Sequence, residues 1–355
     1  MCDIIMISFP HTVIILLLYM LTLSRAYTLR RGGLCLSKIL RCLASLSPPH
    51  PSPPSQVASP LLITSPANDK VKLIKSLQFR KKRDEQNLIL LEGFRLISDS
   101  ITAGHTADLI MCTKEAAESE GGRTLVHQLN SQSLLGKLHL ISDSVFRTLT
   151  DTVHGQGVIA IFHKPIHTYK ALYTHTSHPS PPPSPPLVIL LDGLSDPGNM
   201  GSIVRSAYGL GAQCILCMHT CDVFSPKSVR SSMSACMTLP IYSVSSYAEL
   251  DNLLEEIKIE YNTCHNIHQP IHTYQVLLAD ASSHTYTPYA TLDYTLPTIL
   301  VIGNEANGIS TECKHKFQHG TYTRIPMYRP LESFNAAVAT SIILAEAAKQ
   351  RYGKR

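Results

Sequence analysis

LVILLDGLSDPGNMGSIVR, residues 187–205, is the stretch that decides the fold. Its first five residues are apolar and end at Asp192, which is typical of a buried parallel strand. Glycine and proline residues then turn the chain, and Asn199 is the expected N-cap of the helical pattern that follows. Open α/β sheets bind ligands where such strands end, so we expect a site in this loop, with Arg205 as its nearest cation. An ordinary turn that binds nothing is the alternative.

The composition indicates a chain of two domains with a mild basic excess. A length of 355 residues is enough for two cores, and the formal net charge of +5 is compatible with nucleic-acid binding without being diagnostic of it. The 10 cysteines show no compact disulfide framework, which favours a reducing compartment. Cys214, Cys217 and Cys221 have the spacing of metal ligands. A strand points residues three apart to opposite faces, however, so no metal site is expected.

Residues 1–46 have the features of a targeting segment. Asp3 is the only acid before residue 69, whereas five basic residues lie between positions 25 and 41. Such an Arg-rich segment with serines is typical of an organellar transit peptide, and we expect import into the mitochondrial matrix without stable membrane association. Residues 4–23 are mostly apolar and about long enough to span a bilayer, so a secretory signal or an anchor is the alternative.

Two Pro-rich segments, 47–68 and 166–186, are predicted linkers. Between them, residues 69–165 alternate helix and strand signals and predict a small α/β domain. Seven lysines and arginines lie between positions 70 and 83, and such a concentration of charge favours contact with RNA phosphates. The expected RNA-binding residues are Lys75, Arg80, Lys81, Lys82 and Arg83. A solvated helix end is the alternative.

Residues 187–355 predict a second α/β domain with a mostly parallel sheet, interrupted by an insertion at 261–295. The insertion contains one possible strand. It also contains four possible metal ligands, which we interpret as part of a plain loop rather than as a metal site: Cys264, His265, His268 and His272. Two further apolar strands end in polar loops. One loop runs from Gly303 to Gly308, and the other follows Ile325 and leads to Ser333, the expected N-cap of the last helix.

These three loops together resemble the motifs of the SpoU (TrmH) family, RNA ribose 2′-O-methyltransferases of the SPOUT class. The motifs are N-x-G-x-x-x-R at 199–205, G-N-E-x-x-G at 303–308, and I-P-M followed by S-x-N at 325–335. Each motif is modest alone, and their order at strand ends makes the match specific. The resemblance covers residues 69–355, and the domain order is most similar to mitochondrial large-subunit rRNA methyltransferases.

The resemblance implies a trefoil knot in the C-terminal domain, a homodimer formed through that domain, and S-adenosylmethionine as the cofactor. The implied catalytic residues are Asn199, Arg205, Glu305, Ser333 and Asn335. The implied cofactor-binding residues are Gly303, Gly308, Ile325, Met327 and Phe334, the last of which stands where the family usually has leucine. Arg205 would activate the ribose hydroxyl as a base or through its charge, in its own subunit or across the dimer.

We therefore expect methylation of a ribose 2′-hydroxyl in mitochondrial large-subunit rRNA, with guanosine favoured. A tRNA methyltransferase is one alternative. A non-catalytic RNA-binding assembly factor is another, and it would be expected to lose Arg205, Glu305 or Asn335, all of which are present.

Overall fold

The computed structural model describes residues 62–152, 155–166, 184–264 and 270–353. The predicted targeting segment, with its apolar stretch 4–23, and most of both predicted linkers lie outside these ranges, as do His265 and His268. Within the described ranges, no helix is long and apolar enough to cross a membrane. The two sheets described below belong to one compact unit, residues 59–355.

The first sheet belongs to the N-terminal α/β domain. Its strands are β1 (Leu88–Glu92), β2 (Ala107–Thr113), β3 (Leu138–Ile141) and β4 (Val158–His163), in the order β1-β4-β2-β3. β4 is antiparallel to β1 and β2, whereas β2 and β3 are parallel. The helices are α1 (Asp69–Ser76), α2 (Arg80–Gln86), α3 (Phe94–Thr102), α4 (Lys114–Glu118), α5 (Glu120–Ser131) and α6 (Asp143–Phe146).

Both faces of this sheet are covered, because its strands are apolar on both sides. Ile89 and Leu91 of β1 pack on one face with residues of α3 and α5. Leu90 packs on the other face with residues of α1 and α6. The small α/β domain predicted from the sequence is therefore present, with α4 and α5 as helices that the sequence patterns had not indicated.

The second sheet belongs to the C-terminal domain, and all its neighbouring strands are parallel. Its strands are β5 (Leu187–Asp192), β6 (Cys214–Met218), β7 (Ile241–Val244), β8 (Gln275–Ala279), β9 (Thr287–Pro288), β10 (Thr298–Ile302) and β11 (Thr321–Arg324), in the order β7-β6-β5-β10-β8-β11-β9. The helices are α7 (Pro197–Gly209), α8 (Pro226–Ser232), α9 (Ala235–Thr238), α10 (Tyr247–Cys264), α11 (Thr311–Lys316) and α12 (Ala336–Tyr352).

The centre of this sheet is buried on both faces, as the apolar run at 187–191 predicts. Leu187, Ile189 and Leu191 pack against residues of α7 and α12, and the alternate residues Val188 and Leu190 pack with residues of α10. Cys214 and Cys217 likewise belong to opposite faces. The described residues contain no group of side chains that would hold a metal ion.

Two helix caps differ from the sequence predictions. Asp196, not Asn199, caps α7, because its carboxylate accepts the backbone N–H of Asn199 and Pro197 occupies the first turn. Asn335, not Ser333, caps α12, since its side-chain oxygen accepts two backbone N–H groups of that helix.

The segment predicted as an insertion, 261–295, contributes to the sheet. β8 lies between β10 and β11 and pairs with both. Residues 275–279 are therefore part of the core of the fold, because removing them would leave β10 and β11 each without a partner on one side. The end of α10, through Cys264, precedes this strand.

Candidate active site

Three polar loops follow three strands of the second sheet. The first loop (193–199) follows β5 and the second loop (303–308) follows β10; these strands are parallel neighbours, with Leu191 opposite Ile302. The third loop (325–335) connects β11 to α12. Since parallel strands end at the same edge of a sheet, the first two loops begin side by side, at the type of edge where α/β proteins bind ligands.

Glu305 of the second loop holds the first loop in place. One carboxylate oxygen accepts hydrogen bonds from the backbone N–H of Ser195 at 3.1 Å and from its hydroxyl at 2.8 Å. The other accepts from the backbone N–H of Asp196 at 2.9 Å and from the side-chain amide of Asn199 at 3.0 Å. A carboxylate with four donors is well satisfied as an anion.

These hydrogen bonds set the charge of Glu305. Partial burial alone would raise the pKa of Glu305, but the hydrogen bonds from Asn199 and from the backbone of the first loop outweigh it and lower the pKa to about 2. Glu305 is therefore ionised at neutral pH and is a poor proton acceptor there.

Asn199 connects Glu305 to the third loop. Its side-chain oxygen accepts a hydrogen bond from the side-chain amide of Asn335 at 2.8 Å. The orientation of both side-chain amides follows from the groups at the two ends of this series of hydrogen bonds. Glu305 only accepts, and the backbone N–H groups at the start of α12 only donate, so each amide nitrogen must point toward Glu305.

Asn304 and Gly308 close the second loop. Each donates its backbone N–H to the carbonyl of the other, at 2.8 and 2.9 Å. The φ of Gly308 is +69°, a conformation that favours glycine. A side chain at Gly303 would lie 2.2 Å from the backbone of Gly308, so the tight closure requires a glycine there too. The side-chain amide of Asn304 donates to the carbonyl of Gly193 at 2.8 Å and thereby joins this loop to the first loop.

A cavity of about 300 Å³ lies between the second and third loops. All five residues expected to contact a cofactor line it, as do the expected catalytic residues Glu305 and Ser333; the five are Gly303, Gly308, Ile325, Met327 and Phe334. Further apolar lining comes from Ala339 and Ile343 of α12, and acidic lining from Asp280 and Glu332. Asn199 and Asn335 do not line the cavity and reach it only through Glu305.

Arg205 lies apart from this cavity. It is exposed on α7, it is not a lining residue, and it has no hydrogen-bond or ion-pair partner within the described residues. The structure therefore joins four of the five expected catalytic residues at the cavity or through the Glu305 network, and leaves Arg205 outside them.

The expected RNA-binding cluster is divided by the fold. Arg80, Lys81 and Lys82 are exposed on α2, where they face Asp84 and Glu85 of the same helix. Lys75 is half-buried at the end of α1. The prediction was wrong for Arg83, which is 2% exposed and donates to the carbonyls of Leu77 and Gln78 and to Asp222. A guanidinium buried in this way cannot contact RNA.

Two residues of the site were missed by sequence reasoning. Asp196 caps α7 and pairs with Lys227 of α8 at 3.0 Å; the hydrogen bond from Lys227 is the main cause that lowers its pKa. Ser195 donates twice to Glu305. Asp196 was detectable, because an acid directly before proline is a typical helix start. No feature of the sequence around Ser195 indicated its contact with Glu305.

The cavity fits the cofactor that the resemblance implies. Its volume lies at the lower end of the range of small-molecule sites. Apolar side chains from Ile325, Met327 and Ile343 suit a flat adenine ring, and the exposed carboxylate of Glu332 suits a ligand that carries positive charge. The backbone of the second loop, from Gly303 to Gly308, supplies polar groups at the cavity.

Two family models match the chain. Residues 186–345 match the SpoU rRNA Methylase family, and residues 68–160 match the MRM3-like substrate binding domain. An uncharacterized tRNA/rRNA methyltransferase from Synechocystis is 31% identical over 300 residues, which cover 84% of this chain and 96% of that protein. Mitochondrial rRNA methyltransferase 3 from Homo sapiens is 30% identical over 315 residues, covering 79% of this chain and 71% of that protein.

A solved structure has the same fold. The SpoU methyltransferase AviRb from Streptomyces viridochromogenes, in complex with the cofactor AdoMet, matches with a TM-score of 0.65 and 27% identity over 81% of this chain and 100% of that chain. The chain therefore belongs to the SpoU rRNA methylase family, in which an α/β substrate-binding domain precedes the SpoU domain. This family places it among the RNA 2′-O-methyltransferases that use S-adenosylmethionine.

Proposed function

We propose that the chain transfers a methyl group from S-adenosylmethionine to a ribose 2′-hydroxyl of ribosomal RNA. The observation that carries this proposal is the hydrogen-bonded network of Asn335, Asn199 and Glu305, at the rim of a cavity lined by all five expected cofactor residues. The network joins loops that lie 106 and 136 residues apart in the chain, as a site assembled for one substrate requires.

The cofactor, when bound, supplies an electrophilic methyl group on a sulfonium. Ile325, Met327 and Phe334 would contact it through the apolar side of the cavity, and Gly303 and Gly308 through the backbone. Such fixed contacts place the methyl group at a set distance from the ribose, and positioning supplies much of the rate in a displacement of this kind.

Glu305 acts by holding the first loop rather than by removing a proton, because its pKa of about 2 makes it a weak base. Asn199 keeps one amide hydrogen and one oxygen lone pair beyond its two bonds to Glu305 and Asn335. We assign these remaining groups to orientation of the ribose. Ser333, an exposed residue that lines the cavity, supplies a further hydroxyl there.

Arg205 stabilises the developing alkoxide through its charge, since an arginine stays protonated in proteins. It does not line the cavity of its own chain, so we propose that it reaches the cavity of a second copy in a homodimer. Exposed apolar side chains near Arg205 support such an interface: Tyr208 is 42% exposed one turn further along α7, and Val338 of the adjacent α12 is 46% exposed. The trefoil knot stays a prediction of the family resemblance.

Mitochondrial large-subunit rRNA is the proposed substrate, with guanosine as the proposed base. The similarity to human mitochondrial rRNA methyltransferase 3 and the basic, acid-poor segment 1–46 support this choice. The substrate-binding domain at 68–160 would hold the RNA. The proposed domain boundaries remain those of the sequence prediction: 69–165 for this domain and 187–355 for the SpoU domain.

The test is methyl transfer by the purified protein from labelled S-adenosylmethionine to a transcript of the mitochondrial large-subunit rRNA, with the modified position mapped by alkaline cleavage. We expect one protected position, and no protection with Arg205→Ala. Methylation of a tRNA transcript instead would correct the substrate. An absence of cofactor binding in calorimetry would contradict the enzyme and favour an RNA-binding assembly factor.

A further inference from the structure

The two domains meet through two reciprocal ion pairs. Arg83 of the substrate-binding domain pairs with Asp222 of the SpoU domain, and Glu92 of the former lies 3.2 Å from Arg230 of the latter. The side chains of Arg83 and Glu92 are 3% and 8% exposed. Each domain thus gives one charge of each sign to the interface, and both charges of the substrate-binding domain are buried. Because an unpaired buried charge is strongly destabilising, a shifted domain arrangement is disfavoured, and the pairs specify one orientation.

Glu92 also holds a loop of its own domain. It accepts hydrogen bonds from the hydroxyl of Thr150 at 2.7 Å and from that of Thr152 at 3.1 Å. Both threonines line a groove of about 700 Å³ in the substrate-binding domain. Its charged lining residues are the exposed Arg147 and two exposed acids, Glu115 and Asp143. One carboxylate therefore fixes both the groove wall and the contact with the SpoU domain.

Arg230 lies on α8, which is attached to the first loop of the candidate active site. Lys227, one turn earlier on α8, pairs at 3.0 Å with Asp196, the cap of α7. A side chain at Gly201 of α7 would lie 2.3 Å from the backbone carbonyl of Ser228, so α7 and α8 are in backbone contact. Arg230 is therefore connected through α8 to α7, which carries Asn199 in its first turn.

We propose that Glu92 and Arg230 are positioning residues whose ion pair sets the groove of the substrate-binding domain at a fixed place relative to Asn199. RNA held in the groove then presents its target ribose at the cavity. The groove gives binding contacts that are equal before and during methyl transfer, so its displacement weakens RNA binding and leaves the chemical step intact. This inference rests on the proposed function, because RNA is the ligand assigned to the groove.

The decisive variant is Arg230→Met, which removes the charge and keeps most of the side-chain length. We expect the KM for the rRNA transcript to rise at least about tenfold, while kcat stays within about twofold, because the groove supplies contacts that are the same before and during methyl transfer. The affinity for S-adenosylmethionine in calorimetry should not change. Arg230→Lys, which keeps the charge, should restore most of the RNA affinity.

A matched control is Lys316→Met. Lys316 is 28% exposed against 32% for Arg230, and it pairs with Asp251 at 2.6 Å within the SpoU domain. Its loss removes a basic residue of similar exposure from an ion pair outside the domain interface, so the KM for RNA should be unchanged. An equal rise of KM in this control would contradict the specific role of Arg230.

An unchanged KM in Arg230→Met overturns the inference, and so does a parallel loss of cofactor affinity, which would indicate general damage to the fold. If that variant does not fold, Glu92→Gln replaces it, because glutamine keeps an oxygen for the threonines and removes the charge. RNA affinity measured by fluorescence anisotropy without cofactor should fall by the same factor as KM rises. The anisotropy measurement tests the inference independently of methylation. If the wild-type protein binds RNA but methylates none, only the proposed function is contradicted.

Discussion

The side-chain amide of Asn335 donates a hydrogen bond of 2.8 Å to the side-chain oxygen of Asn199, 136 residues away. The oxygen of the same Asn335 caps α12. One side chain therefore begins the last helix and also holds the first loop of the site. The two roles can be separated by substitution, because a helix cap needs only a short oxygen acceptor.

Asn335→Ser should keep the stability of the protein and lose most of its methyltransferase activity. Serine caps helices about as well as asparagine, but it is too short to reach Asn199. We expect a 10- to 100-fold fall in kcat, about the effect of a slightly misplaced substrate group, with an unchanged urea midpoint. Asn335→Ala should show the same fall in rate and also lose about 1 kcal/mol of unfolding free energy. A serine variant with the wild-type rate would show that the link to Asn199 has no role in catalysis.

Glu305 should make the stability of the protein depend on acid pH. Its pKa is about 2 in the folded protein against an ordinary value of 4.5. Since the folded state lowers the pKa, the ionised group stabilises the fold above pH 4.5, and this contribution is lost as the pH falls toward 2. In Glu305→Gln, this part of the pH dependence should be missing from urea unfolding curves measured between pH 2 and 6.

The control for this experiment is Glu332→Gln, an exposed carboxylate at the same cavity without a hydrogen bond to another described residue. Its pH dependence should match that of the wild type. The rate of methyl transfer near neutral pH should show no titration that belongs to Glu305, because that group is already fully ionised there. If the rate of the wild type rises with pH through a titration that is absent from Glu305→Gln, Glu305 acts as a base.

The sequence predicted the parts of the fold that depend on local pattern. The apolar run at 187–191 identified the central strand, since few other structures bury every residue of such a segment. The contacts of the site were not predictable in this way. Glu305 and the loop it holds are separated by over a hundred residues, and only the family resemblance brought them together. For Arg83 the local pattern was misleading. Its place in a basic run suggested RNA contact, but it is buried in an ion pair with Asp222, which lies 139 residues away.

Arg83→Met should therefore destabilise the protein rather than change how its RNA binding depends on salt. Breaking a buried ion pair by removing one partner costs about 3–5 kcal/mol, and this variant also leaves two carbonyls without their donor. We expect a lowered urea midpoint. RNA affinity measured at temperatures where the variant is folded should keep the wild-type salt dependence. A reduced salt dependence with normal stability would restore Arg83 to the RNA surface.

The exposed lysines of α2 should behave in the opposite way. Lys81→Glu with Lys82→Glu should leave the free energy of unfolding within about 0.5 kcal/mol of wild type, as exposed substitutions usually do. RNA affinity should fall, and its logarithm should depend less steeply on salt concentration, by about one unit of slope for each phosphate contact that is lost. An unchanged slope in anisotropy titrations would exclude α2 from the RNA-binding surface.

Arg205→Ala should abolish methylation and leave the affinity for S-adenosylmethionine unchanged, because the proposed role of Arg205 is at the ribose hydroxyl and not at the cofactor. If Arg205 serves a second copy, mixed dimers will distinguish this from action in its own subunit. Protein that carries only Arg205→Ala is mixed with protein that carries only Asn199→Ala, and each variant should be inactive alone. A mixed dimer then contains one cavity with an intact Asn199 and an intact Arg205 from its neighbour, and activity should return to about a quarter of wild type if subunits exchange at random and equally. No recovery, with subunit exchange verified by light scattering and tagged copies, would place Arg205 in the site of its own chain.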